Sequence, residues 1–180
     1  MDAYLAVVSK REVRNYEPRA IPDQLLARVL EAGRASGSSR NRQPWRFILV
    51  TDQERLRELS SGVAAPSNVV RCRAAICIVL TNPKATFDAG RAAQNMMVAA
   101  WSDGIGSCPN TPVDAEVVKK LLGVPNEIAL VTILSLGYPA RGEPRPRPRE
   151  DPSRVLTRID RLPLAELSYR ETYGTPLARL

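Results

Sequence analysis

The segment Thr86–Ser102, TFDAGRAAQNMMVAAWS, constrains this chain more than any other. Its apolar residues, Ala89, Ala92, Ala93, Met96, Met97, Ala99, Ala100 and Trp101, leave little polar surface on a helix. A helix that is apolar nearly all round must be covered nearly all round, so the other elements have to form layers about it. The alanines and Gly90 allow close approach. Gln94 and Asn95 are polar in this setting and need partners. Asp103-Gly104-Ile105-Gly106-Ser107 ends the helix and reads as a flexible loop whose backbone can approach a flat ligand.

The covering elements are legible in outline. Ala75–Leu80 is a continuous apolar run, hence a strand covered on both faces. Trp45–Val50 and Ala129–Tyr138 are the other strong strand signals. A short helix is expected over residues 2–9. A second starts at Pro22 and runs to about Ala35, with Leu25, Leu26, Val29 and Leu30 as its apolar stripe. Asp52 and Asp114 read as caps of helices ending near Ser61 and Leu122, and Gly123 stops the second. Residues 62–73 read as irregular. Ala140–Pro152 contains PRPRPRE, which suits neither helix nor central strand. The order is helix-rich with three or four strands, an α+β or α/β layered domain. Length supports one domain over residues 1–180. The tail from about 162 to 180 looks too weak to fold alone and is expected to pack on a partner subunit.

Composition bears mainly on chemistry. There is no histidine, which excludes Ser-His-Asp and Cys-His catalysis and any His-ligated metal site. Catalysis then falls to carboxylates, Lys, Tyr, Cys or a cofactor that carries the chemistry. The three cysteines lack metal spacing and fit a reducing cytoplasm as buried apolar residues. No signal peptide or membrane-spanning run is read, so the expected location is cytoplasmic. The net charge of +7 is carried mostly by Arg. It suits anionic small molecules, nucleic acid or a membrane surface, and equally follows from genome composition.

Four segments carry more polar chemistry than structure alone requires. KREVRNY places Lys10, Arg11 and Arg14 together, with Lys10 and Arg14 able to converge on one anion across a helix end. The alternative is a solvated basic turn. SSRNRQPW supplies Ser38, Ser39 and Asn41 at the mouth of a strand, suited to a ligand rich in heteroatoms, or else to turn chemistry. The Thr86 helix and its glycine turn offer Asn95 and a close backbone approach, or simply a core helix. Arg145, Arg147 and Arg149 alternate with prolines, as a pre-ordered phosphate clamp or as a surface strap.

In order, these segments resemble the nitroreductase family of flavoproteins over about residues 4–157. KREVRNY, SGSSRNRQPWRFILV, DAGRAAQNMMVAAWSDGIGSC and LGYPARGEPRPRPR each match a family motif, the second most closely. The resemblance implies an α+β sheet flanked by helices, in an intertwined homodimer with FMN at the interface. It implies that Lys10, Arg11 and Arg14 hold the FMN phosphate and ribityl chain, with Arg147 and Arg149 closing on the phosphate. Ser38, Ser39 and Asn41 would come from the other subunit. Asn95 would support the pocket, and Pro109, Asn110 and Thr111 would lie against the ring. The implied reaction is ping-pong hydride transfer from NADH or NADPH through flavin N5 to a nitroaromatic, quinone or similar acceptor, with no catalytic side chain and no metal. Flavin fragmentation, dehalogenation and heterocycle oxidation are alternatives on the same fold. A basic nucleic-acid module is a further one, disfavoured by the lack of a stacking motif. Three positions depart from the pattern. Glu12 replaces Ser, and an acid there repels phosphate unless it pairs with an arginine. Gly37 replaces Pro. Pro112 removes a backbone N–H near the expected N5 contact and leaves Thr111 as the donor.

Overall fold

The computed structural model describes residues 1–175. Four strands, β1 (Trp45–Val50), β2 (Ala74–Leu80), β3 (Gly106–Asn110) and β4 (Ala129–Gly137), form one sheet in the order β1-β2-β4-β3. Every neighbouring pair is antiparallel, which decides for α+β over α/β. The helices are α1 (Ala3–Ser9), α2 (Asp23–Arg34), α3 (Gln53–Ser60), α4 (Pro66–Val70), α5 (Thr86–Ser102), α6 (Ala115–Leu122), α7 (Pro152–Leu156) and α8 (Leu164–Leu167). None of the described helices is long and apolar enough to cross a membrane. The expectation for the tail beyond Thr175 lies outside the described residues.

Strand β2 is buried along its whole length, and alternation divides its side chains between two cores. Ile76, Ile78 and Leu80 join Leu134 and Leu136 against α2 and α5. Ala75 and Cys77 face the other way, with Leu56, Leu59, Val63, Val69 and Val118. Helix α5 is buried at Asp88, Ala89, Ala92, Ala93, Met96, Met97, Ala100 and Trp101, as its composition demands. Asp2, Asp52 and Asp114 each accept a backbone N–H from the first turn of their helix. Gly123 takes the left-handed conformation after α6 (φ 65°).

Two stretches differ from the sequence reading. Residues 62–73 contain α4, which Pro66 opens in its first turn. The Gly104–Ser107 turn is not a flexible loop throughout, because Gly106 opens β3. A Cβ on Gly106 would lie 2.6 Å from Val13 Cβ, and one on Gly137 would lie 2.7 Å from the Tyr16 ring. These glycines make room for the Lys10–Tyr16 segment to cross the end of the sheet.

Burial pushes the Cys72 and Cys77 thiols up from 9.0 to about 12. Between those values the native state keeps protons that the unfolded chain loses. Stability is therefore constant below pH ~9 and falls above it, by about 1.4 kcal/mol per pH unit for each thiol. Urea midpoints taken from pH 7 to 11 should show this fall, and a Cys72→Ala/Cys77→Ala variant should lessen it, the remainder coming from Cys108 and Tyr16, whose protons burial also holds.

Candidate functional site

Lys10 ends α1 in an extended conformation (φ −57°, ψ 130°). From there the chain lies along β3. Glu12 bridges Ser107 in parallel, and the Val13 N–H donates to the Ser107 carbonyl at 3.1 Å. The buried Tyr16 hydroxyl donates to the Val13 carbonyl at 2.6 Å and lies 2.9 Å from Ser135 Oγ. The Glu143 carboxylate accepts from the Arg14 N–H at 3.2 Å and from Asn15 Nδ2 at 2.5 Å, which pins the segment from the C-terminal side. Lys10 and Arg14 thus do not meet across a helix turn. Instead the extended period of two puts Lys10, Glu12 and Arg14 on one side and Arg11 on the other.

On the first side, the Lys10 side chain is 6% exposed, and its ammonium donates to Glu12 Oε1 at 2.6 Å. The same Nζ lies 3.5 Å from Met97 Sδ of α5. Glu12 Oε2 and Ser107 Oγ are buried without a hydrogen-bond partner among the described residues. All three charges bear on Cys108 of β3. Burial raises its thiol first, the Glu12 charge raises it further, and Arg14 and Lys10 oppose. Pro109 and Thr111 are exposed at the end of this strand. Asn110 is 3% exposed, and its side chain points inward, donating to the carbonyls of Cys108 (2.9 Å) and Ile133 (3.0 Å).

On the other side, Arg11 donates to the carbonyls of Val8 and Lys10, both at 2.8 Å, and so closes the end of α1. It lines a cleft of about 260 Å³ with Ser9, Trp101, Arg145, Arg147, Glu150 and Arg158. Glu150 pairs with Arg147 at 3.6 Å and with Arg158. Burial, and next the Arg161 charge, lower the Arg11 guanidinium from its ordinary value, while Glu150 opposes this. Arg145 pairs with Glu17 at 2.8 Å, so two carboxylates offset four arginines and the cleft keeps an excess of positive charge, the donor set a phosphate requires. Arg149 is exposed and does not line it. Arg145 and Arg158 do. Arg145 was visible in the proline-rich run, but no pattern in the sequence marks Arg158.

Ser38, Ser39 and Asn41 lie elsewhere. Their loop holds Arg40, Asn41 and Gln43 at positive φ (52°, 53° and 48°), a cluster of strained residues that surrounding contacts must hold in place. The Gln43 N–H donates to Ser38 Oγ at 2.9 Å, and the Ser39 N–H donates to Asp88 Oδ2 at 3.3 Å. Pro44 and Trp45 are buried and seat the loop on the sheet through Trp45 opposite Leu80. Ser39 lines a separate cleft of about 440 Å³ with Arg42, Lys84 and Phe87. Asn95 donates to Ser36 Oγ at 2.8 Å, tying α5 to the end of α2, beside a groove that also contains Ala6 and Val98. One chain therefore distributes the candidate residues over separate places. Arg11 and Arg147 share a cleft, Lys10 and Arg14 gather at Cys108, and Ser38, Ser39, Asn41 and Asn95 belong to neither.

The profile of the Nitroreductase family matches residues 7–71 and 81–138, and the chain belongs to that family. An Archaeoglobus fulgidus protein whose name pairs NADH dehydrogenase with NAD(P)H nitroreductase is 32% identical over 145 residues, covering 74% of this chain and 83% of its own. The NADPH-flavin oxidoreductase of Vibrio harveyi is 28% identical over 163 residues, covering 79% of this chain and 68% of its own. Among solved structures, a nitroreductase family protein of Clostridium difficile 630 superposes with a TM-score of 0.78 at 24% identity, covering 96% of this chain and 99% of its own.

Proposed function

We propose that this chain is an FMN-dependent oxidoreductase, reduced by NADH or NADPH and acting on a nitroaromatic, quinone or similar acceptor in turn at one site. The observation that carries this reading is the shared cleft of Arg11 and Arg147, two cations far apart in sequence and singled out for one phosphate. Arg11 and Arg147 hold the phosphate and ribityl end from the cleft, Lys10 and Arg14 from the other side of the same extended segment, and Arg149 from the exposed strap. Arg11 and Arg147 serve as guanidinium forks, whose paired N–H groups match phosphate oxygens. When bound, the flavin supplies the hydride-accepting and hydride-donating atom. Pro109 and Thr111 lie at the exposed end of β3 against the ring, and Thr111 provides the backbone N–H that Pro112 lacks. The inward Asn110 side chain keeps that strand end rigid.

Ser38, Ser39 and Asn41 stand apart from Lys10 and Arg14 on one chain, which supports a homodimer in which they serve the flavin of the neighbouring chain. Residues 1–180 then act as one FMN-binding domain whose tail packs on its partner. The exposed Leu162, Leu164, Leu167 and Tyr173 are consistent with such a covering. The name of the Vibrio harveyi relative, NADPH-flavin oxidoreductase, supports both cofactors.

The test is the visible spectrum of the purified protein before and after anaerobic NAD(P)H. Flavin bands that bleach support the reading. Bands that persist keep the cofactor and favour flavin fragmentation, dehalogenation or heterocycle oxidation. A protein that takes up no FMN overturns it. Within this reading, Arg147→Ala should weaken FMN binding by about 1.5–3 kcal/mol, roughly ten- to a hundredfold. Titration by quenching of flavin fluorescence measures this, and an unchanged Kd removes Arg147 from the site.

A further inference from the structure

We infer that Glu12 is an internal counter-anion for Lys10 and sets how strongly the flavin site prefers a phosphorylated ligand. The inference rests on the FMN reading above and specifies which flavin the site selects. Of the cations grouped at the start of the chain, Lys10 is the one whose charge is already taken. Its ammonium is nearly inaccessible and donates to Glu12 Oε1 at 2.6 Å. Its other close neighbour is the neutral Met97 Sδ at 3.5 Å. An anionic ligand approaching Lys10 must displace this carboxylate or bind beside it, and in a partly buried site either course is unfavourable.

The carboxylate is also held in place by the backbone. The main chain at Glu12 is fixed by its bridge to Ser107 and by the Val13–Ser107 hydrogen bond, which keeps the 38% exposed side chain within reach of Lys10. Its second oxygen, Oε2, is buried and lacks a partner among the described residues, as does Ser107 Oγ beside it. A carboxylate with one oxygen unsatisfied adds negative potential on the side of the segment that carries Lys10 and Arg14, two of the cations assigned above to the phosphate and ribityl end, and Arg14 alone among the remaining cations that bear on Cys108 opposes it. An uncharged flavin, riboflavin, meets no such opposition. The native protein therefore discriminates only weakly between FMN and riboflavin at this position, and Glu12 is the residue responsible.

The experiment compares the Kd of FMN and of riboflavin for the wild type, Glu12→Gln, and Glu12→Gln/Lys10→Met, with circular dichroism melts confirming that each is folded. Glutamine keeps the shape and removes the charge. The expected result is that Glu12→Gln tightens FMN by about tenfold and leaves riboflavin unchanged, the size of effect ordinary for a hydrogen bond to a freed charge. The gain should vanish in the double variant, because Lys10 is the group released. If flavins bind but Glu12→Gln leaves FMN unchanged or weaker, this inference is overturned while the flavin reading stands. An equal tightening of both flavins also overturns it. If neither flavin binds any of the three proteins, the flavin reading itself falls and takes this inference with it.

Discussion

Trp101→Ala should lower the unfolding free energy by about 3–5 kcal/mol, the range for removing a fully buried aromatic side chain. The indole is 1% exposed and sits in the core cluster that also holds Val13 and Tyr16, at the point where α5 meets the Lys10–Tyr16 segment. Its Nε1–H donates to Ser9 Oγ at 3.0 Å, so truncation also strands a buried hydroxyl at the end of α1. Both losses act in the same direction. Urea titration followed by far-ultraviolet circular dichroism measures the effect. A loss below about 1 kcal/mol would mean that the site collapses around the deletion, contrary to the packing described. Trp101→Phe separates the two contributions, since it keeps most of the buried area and loses the donor.

Asn110→Ala should cost about 2–4 kcal/mol, for a different reason. Little apolar area is lost, but a buried network loses its centre. Asn110 Nδ2 lies 2.9 Å from the Cys108 carbonyl, 3.0 Å from the Ile133 carbonyl and 3.1 Å from Ser135 Oγ. Its Oδ1 accepts from Asn68 Nδ2 at 3.0 Å. Deleting the amide leaves several buried groups unpaired, each costing about 1–3 kcal/mol before relaxation. Asn110→Asp should be worse than Ala at neutral pH, because it sets a carboxylate among three acceptors. Thermal melts of the two variants at pH 7 give the ordering, and an Asp variant more stable than Ala would contradict the assigned donors.

The sequence made the long helix, the main strands and the caps readable, because each depends on local periodicity or on a residue that acts on its own turn. Thr86–Ser102 could be bounded from its composition and the glycines after it. Strand β3 could not. Its glycine looked like freedom of the backbone, whereas it provides clearance for Val13, a residue far away in the chain. The partners of the site were hidden for the same reason. The pairing of Lys10 with Glu12, where an arginine was the expected partner, depends on Met97 and β3 enclosing the lysine. Arg158 enters the arginine cleft only because α7 packs on α1. The loop Ser38–Gln43 announced unusual chemistry through its Ser, Asn and Gln, yet nothing in it revealed three residues at positive φ.

The segment that crosses the sheet end has a consequence for the order of assembly. Tyr16 bridges Pro139, and Glu12 bridges Ser107. Made before their partners, these cannot find their places until residues 107 and 139 have followed. During that interval α1, Lys10 and Arg11 have no surface to rest on. Contacts of such separation slow folding, because a large loop must close before any contact rewards it. Lys10, Arg11 and Arg14 would accordingly be among the last residues set, after β4 is complete. A nascent chain arrested short of residue 139 should leave Tyr16 unbridged and the Lys10–Tyr16 segment undocked.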